Sequence, residues 1–268
     1  MPSWLSDTQM VALVGAFGGI MLGLAARLGR FCTLGAIEDL LYGGSSVRLR
    51  MWGLAIGTAV IGSFTLIGTG LLTASDTIYL SLRWLPTASI VGGLMFGYGM
   101  ALAGNCGFGA IARLGGGDLR SFVIVLVLGI STFAVITGPF AVLRDTLFHQ
   151  TPITSEQLPG LAHYAASLTG LPVAGIGITI GLIISIVALW SSDLRSDPKA
   201  TVWAVVVGLA IVTGWVGTQW VRNTGFDGLP VVSHSFSAPV GETLFFAMTA
   251  SVRPISFAVG SVAGVWIG

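Results

Sequence analysis

Apolar residues in this chain run in long blocks without strict alternation, and short polar or glycine-rich stops separate the blocks. Stretches of about twenty such residues are long enough to cross a ~30 Å hydrocarbon core as helices. The pattern predicts spanning helices at 10–26, 51–72, 87–103, 122–143, 171–190 and 202–221. Arg27-Leu28-Gly29-Arg30 closes the first and Gly104-Asn105 the third, while the polar stretch 191–199 reads as a plain loop. Ten-residue segments of alternating polarity, which a membrane barrel needs, do not occur. The fold class expected is therefore all-α, a polytopic transmembrane helix bundle in one domain covering 1–268.

Several apolar pieces are too short to cross. Residues 33–41 and 107–114 read as half-helices of two to three turns, ended by Gly43-Gly44 and Gly115-Gly116-Gly117. A third piece, 239–250, opens with Pro239 at the first helical position, where the missing N–H costs nothing. Short, glycine-interrupted apolar segments in corresponding parts of a chain point to a transporter's binding site. Non-helical backbone is tolerated at that depth only where it lines a cavity or is packed in protein. The most polar stretch, 143–170, holds His149, Glu156 and His163, with an interfacial helix expected at about 158–168. The third histidine, His234, falls in the other large loop. All three read as surface-loop residues, and no spacing of His or carboxylates resembles a metal site.

One segment occurs twice without a gap. Residues 18–37 read GGIMLGLAARLGRFCTLGAI, and residues 92–111, which lie 74 positions on, read GGLMFGYGMALAGNCGFGAI. Nine of the twenty positions are identical, among them Cys32 and Cys106, the chain's 2 cysteines. Two further crossings separate the copies, so they are expected to be parallel repeats at about 8–74 and 82–148. Glycines at Gly19/Gly23 and Gly93/Gly97 have the small-x-x-x-small spacing of close helix contacts. Packing accounts for most of the identities, but it does not require Cys at the same place in both copies.

Composition agrees with this reading. Apolar residues make up 54% of the chain and charged residues 9%, with a mean hydropathy of +0.90. Soluble domains carry roughly 25% charged residues. A net charge of +1 with no basic run gives no sign of a nucleic-acid partner. The N-terminus lacks a basic n-region and reads as a tail before a retained helix. With the N-terminus outside, one face receives Arg27, Arg30, Arg48, Arg50, Arg113, Arg120, Arg195 and Lys199, and the other receives Arg83, Arg144 and Arg222. That excess on one side favours an outside N-terminus and puts the half-helix loops in the cytoplasm.

The chemistry expected is anion binding. Glycines crowd both cysteines, and successive N–H groups in glycine turns form anion-binding nests. A half-helix starting after each cysteine aims its N-terminal N–H groups and dipole toward a shared point. A thiol adds a weak, polarisable donor suited to the soft sulfur of a sulfur oxyanion. The candidate substrate-binding residues are Cys32, Cys106, Thr33, Gly35, Gly104, Asn105, Gly107, Gly109, Arg30 and Arg113. Asn105 would cap the second half-helix or donate its amide to the ligand. Glu38 and Asp39 would repel an anion, so they are expected on the cytoplasmic side or paired with an arginine. Neither a catalytic residue nor a cofactor is expected. Two other readings remain open at this point: a membrane thiol-redox protein using Cys32 and Cys106 as a dithiol pair, and a non-transporting scaffold.

The segments GRFCTLGAIEDLLYGG and GNCGFGAIARLGGGDLRSF resemble the two N-terminal cysteine motifs of the YeeE/YedE membrane proteins, and GETLFFAMTAS and FAVGSVAG extend the likeness. The resemblance implies an hourglass-shaped bundle in a bacterial inner membrane that takes up thiosulfate past cysteines by transient S–H hydrogen bonds. Cys32 and Cys106 match two of those cysteines. It also implies a small cytoplasmic sulfur-carrier partner of the TusA/SirA type. The family pattern has a third cysteine near its C-terminus that these residues lack, so a C-terminally incomplete chain is expected.

Overall fold

A computed structural model describes residues 5–80, 84–149 and 158–268. Arg83 and Glu156, used in the sequence reading, lie outside the described residues. The described residues are helical and contain no β-strand. The helices are α1 (Asp7–Arg27), α2 (Thr33–Leu41), α3 (Val47–Gly68), α4 (Pro86–Ala103), α5 (Gly107–Gly115), α6 (Leu119–Ile136), α7 (Ala141–Leu147), α8 (Leu161–Thr169), α9 (Val173–Leu189), α10 (Ser192–Ser196), α11 (Pro198–Thr224), α12 (Ser237–Thr249) and α13 (Phe257–Ile267). Among the described residues, five stretches are long and apolar enough to cross a membrane: α1, α3, α6, α11 and the run Pro86–Gly115. That run is broken at Gly104, which separates α4 from α5.

The bundle is held together by small residues that let backbones approach. On α1, Gly15, Gly19 and Gly23 face the α13 backbone, and Gly260 and Gly264 of α13 face the carbonyls of Ala12 and Ala16. A Cβ on Gly57 of α3 would lie 2.9 Å from the Gly181 carbonyl of α9, and one on Gly208 of α11 would lie 2.8 Å from the Ala55 carbonyl of α3. Helix α12 crosses α6 at Gly241 and Gly129 in the same way. Helix α4 differs. Among the described residues, outside each glycine's own turns of α4, no atom lies within 4 Å of where a Cβ on Gly92, Gly93 or Gly97 would stand, and Leu94, Met95 and Tyr98 are exposed.

Polar contacts tie the connections at the N-terminal end of α1. Asp7 accepts hydrogen bonds from the N–H groups of Phe226 (2.7 Å) and Asp227 (3.2 Å). Asp76 accepts from Gln219 at 3.3 Å and pairs with Arg222 at 3.5 Å, which fastens the turn after α3 to α11.

Several boundaries differ from the sequence reading. The helix expected over 122–143 stops at Ile136, because Gly138-Pro139 follows and a residue before proline is pushed out of the α region. A separate short helix, α7, then takes residues expected to span. The stretch 191–199 is not a plain loop. It contains α10 and the start of α11, each capped by its own side chain, Ser191 and Asp197. Helix α12 starts at Ser237, so Pro239 is its third residue and not its first, still within the turn whose N–H groups lack helical partners.

Replacing Gly19 by Val forces a branched side chain into the Ser261 carbonyl of α13. This overpacking is expected to cost about 1–3 kcal/mol, seen as a lower thermal midpoint of the detergent-purified protein. An unchanged midpoint would remove the α1–α13 contact from the account of stability.

Candidate functional site

The site is built where two helices break. The end of α1 is closed by the Leu28 N–H on the Leu24 carbonyl (2.7 Å) and the Phe31 N–H on the Ala25 carbonyl (3.1 Å). Between these bonds Arg30 sits at φ 51, in the left-handed region, the one described non-glycine residue with positive φ. At 30 + 74 = 104, Gly104 takes the same conformation at φ 65. An L-residue pays roughly 1–2 kcal/mol for this backbone and glycine almost none, so the two breaks are not equally strained.

Two residues after each break stands a cysteine, and each is the N-cap of a nine-residue helix: Cys32 of α2 and Cys106 of α5. The caps differ. The Cys106 sulfur accepts from the Gly109 N–H at 3.4 Å, whereas Cys32 makes no side-chain cap bond. Cys106 is 5% exposed and Cys32 is half-buried, and both are free thiols. The Cys32 thiol and the Thr33 side chain lie close enough to the Cys106 thiol to act on it electrostatically.

The two helix starts share a cavity of about 310 Å³. Cys32, Leu34 and Gly35 line it from α2, and Gly104, Asn105, Gly109 and Arg113 from around α5. Arg27 and Arg30 from the end of α1, Arg48 from α3 and Glu38 from α2 complete the charged lining. Four arginines against one glutamate make this an anion-attracting cavity at the starts of two helices.

Asn105 is 4% exposed, yet neither polar atom of its amide has a hydrogen-bond partner. A Cβ on Gly109 would fall on its Oδ1, so the glycine makes the space that Asn105 occupies. Buried polar side-chain atoms are rarely left unpaired, and each such case requires an explanation. Asn105 does not cap the second half-helix; Cys106 does, because its sulfur already takes the Gly109 N–H.

Seven of the ten residues singled out by sequence line the cavity: Cys32, Gly35, Gly104, Asn105, Gly109, Arg30 and Arg113. Cys106 lies behind Gly109, and Thr33 faces the Cys106 thiol. Gly107 does not line the cavity. A Cβ there would meet Leu128 of α6 at 2.6 Å, so this glycine serves close packing.

Sequence reasoning missed Arg48 as part of the site. Its Nε and Nη2 donate to the Arg30 carbonyl at 3.1 and 2.8 Å, and its Nη1 donates to Asp39 at 3.2 Å. Its guanidinium lies on Gly35, where a Cβ would approach Nη1 to 2.5 Å. Arg48 thus holds the strained turn before Cys32 and pairs the carboxylate expected to need an arginine. Glu38, by contrast, lines the cavity itself. The one sequence signal for Arg48 was a charge in the first turn of a spanning helix.

A second cavity, of about 720 Å³, lies at the other end of α1. Thr8 and Val11, Ser233 and Ser235, and Glu242 and Arg253 are in its wall, with a mostly apolar remainder. Beside it, His234 is not a surface-loop residue. Its Nδ1 is 2.7 Å from the Ser261 hydroxyl, and its Nε2 is buried without a partner, aimed at Gly18.

Broken helices that bring paired N-termini and polar groups to a cavity inside an apolar bundle define the class of membrane transport proteins. The sequence profile described as sulphur transport matches residues 28–268, and the chain belongs to that family, the YeeE/YedE proteins. The chain is similar to the thiosulfate transporter TsuA of Escherichia coli (strain K12), at 27% identity over 274 residues, 96% of this chain and 73% of that protein. It is also similar to the thiosulfate transporter TsuA of Spirochaeta thermophila, at 23% identity over 288 residues, 95% of this chain and 85% of that protein. Membership of this family makes the chain a transporter and not an enzyme.

Replacing Arg48 with Ala releases the Arg30 carbonyl and frees the turn before Cys32. Alkylation of Cys32 is expected to rise about tenfold, the scale of a lost charge-assisted hydrogen bond, with Cys106 little changed. Quantifying the two cysteine peptides by mass spectrometry checks this, and equal changes at both thiols would contradict it.

Proposed function

We propose that this chain carries thiosulfate or a related sulfur-containing anion inward across a bacterial inner membrane, through the cavity between α2 and α5. The observation that carries the reading is the meeting of two cysteine-headed helix starts around Asn105, whose buried amide has no partner among the described residues. An oxyanion accepts from the Asn105 Nδ2 and from first-turn N–H groups. Its soft sulfur, where it has one, meets the thiols. These donors are neutral, so they bind a doubly charged ion without trapping it, as conduction requires. The two relatives similar over nearly all of this chain are named thiosulfate transporters, which supports the choice of substrate.

Orientation follows from charge. Arg27, Arg30, Arg48 and Arg113 gather at the cavity near the end of α1, and the excess of basic residues there favours a cytoplasmic position with the N-terminus outside. The correspondence of α2 with α5 at an offset of 74 supports reading 8–74 and 82–148 as parallel repeats. A TusA/SirA-type carrier receiving sulfur at the arginine-lined mouth fits this orientation and rests on family resemblance.

The test is uptake of labelled thiosulfate by cells that rely on it for sulfur. Cys106→Ala and Asn105→Leu are each expected to lower initial uptake roughly tenfold or more, the scale of one hydrogen bond to a charged ligand. Wild-type uptake by both variants would overturn the proposed path.

A further inference from the structure

The short segment 233–236 borders the larger cavity on one side and packs toward α5 on the other. Ser233 and Ser235 are in the wall of the larger cavity. The Phe236 ring packs on Phe108, two residues past Cys106, with ring centroids 5.0 Å apart. His234 between them reaches into the bundle against Gly18, midway along a helix whose Thr8 lines one cavity and whose Arg27 lines the other.

The polar atoms of His234 are unevenly served. Nδ1 has the Ser261 hydroxyl at 2.7 Å, and no other partner of that hydroxyl is found among the described residues. Nε2 is buried with none. When the Ser261 O–H donates to Nδ1, the neutral ring carries its proton on Nε2 and presents an N–H donor beside Gly18. Gly18 has no side chain to fill that place, and a Cβ there would fall on Nε2. The ring packs at a 46° tilt against Phe257, with centroids 5.0 Å apart. In that tautomer an unserved donor lies beside Gly18, next to the Ser233 and Ser235 that line the larger cavity, and an anion oxygen entering the bundle from that cavity is the acceptor it lacks.

We propose that His234 is a transient ligand for the transported anion beside the larger cavity, donating from Nε2 to an anion oxygen before the anion reaches the thiol site. This step rests on the transport reading above. Ser261 acts as the positioning residue that selects the tautomer.

Replacing His234 and Ser261 together by Leu and Ala separates a transport role from a structural one. Removing both members of a buried polar pair in favour of apolar groups is nearly neutral or stabilising, so the thermal midpoint is expected to hold or rise. Thiosulfate uptake, normalised to the amount of protein in the membrane, is expected to fall about tenfold. Wild-type uptake by the pair overturns the His234 step alone. No uptake by the wild-type chain removes the transport reading and this step with it. Should the pair fail to accumulate in the membrane, the single variants decide. His234→Gln keeps a donor and is expected to transport at least about fivefold faster than His234→Leu, and equal rates overturn the proposal.

Discussion

A backbone N–H or carbonyl with no partner is costly in hydrocarbon, and a membrane helix can be interrupted only where something else satisfies the freed groups. This bundle interrupts two, at Arg30 and Gly104, and much of the fold shelters those breaks. The glycine contacts of α1 with α13, of α3 with α9 and α11, and of α6 with α12 bring helices close enough to wall in the half-helices. Around the first break the freed carbonyl of Arg30 goes to the fork of Arg48. Around the second, the Gly109 N–H goes to the Cys106 sulfur. Cysteine is thus part of the backbone accounting before it is anything else, since as an N-cap it takes a place that Ser, Thr, Asp or Asn usually fills.

The two breaks solve one geometric problem with different chemistry. Glycine reaches the left-handed region without strain, so the turn at Gly104 needs no latch, and the adjoining Asn105 is left with an unpaired amide. Arginine at position 30 is strained there and needs Arg48, which in turn needs Asp39 and a bare Gly35. The result is one buried thiol and one half-open thiol, of which the half-open Cys32 lines the cavity. A site of this kind has a direction built into it. One thiol meets the arginine-lined mouth while the other sits behind Gly109 beside Thr33.

The half-helices were legible from sequence because their signals are local. A cysteine, glycines at fixed offsets and a closing glycine cluster mark both ends, and α2 falls on the residues expected. The length of the apolar run overran the end of α6, where the backbone restriction imposed by Pro139 ends the helix earlier. Helix α10 hid in a polar stretch because capping by Ser191 and Asp197, and not burial, defines it. Arg48 and His234 were illegible for a different reason. The partners that give them meaning, the Arg30 carbonyl and the Ser261 hydroxyl, lie 18 and 27 positions away. No single-sequence pattern joins such pairs, and a histidine in a loop looks the same whether it meets water or the middle of a helix.

On the proposed reading, charge and neutrality are divided along the path. Arginines line the smaller cavity at the cytoplasmic end of the path, where solvent and counter-ions screen them and the arriving anion is drawn on without being held fast. The other groups on the path are the Asn105 amide, the Cys32 and Cys106 thiols and the His234 ring nitrogen, none of them a fixed cation like an arginine. A fixed cation buried among them would bind the anion more tightly and slow its release, because a low-dielectric surrounding strengthens every charge–charge contact. Neutral donors whose partners in the protein are missing or weak lose little when the anion leaves. Unpaired polar atoms at Asn105 and His234 would be defects in a structural core, but in a conduction path they set binding at a strength that lets the ion go.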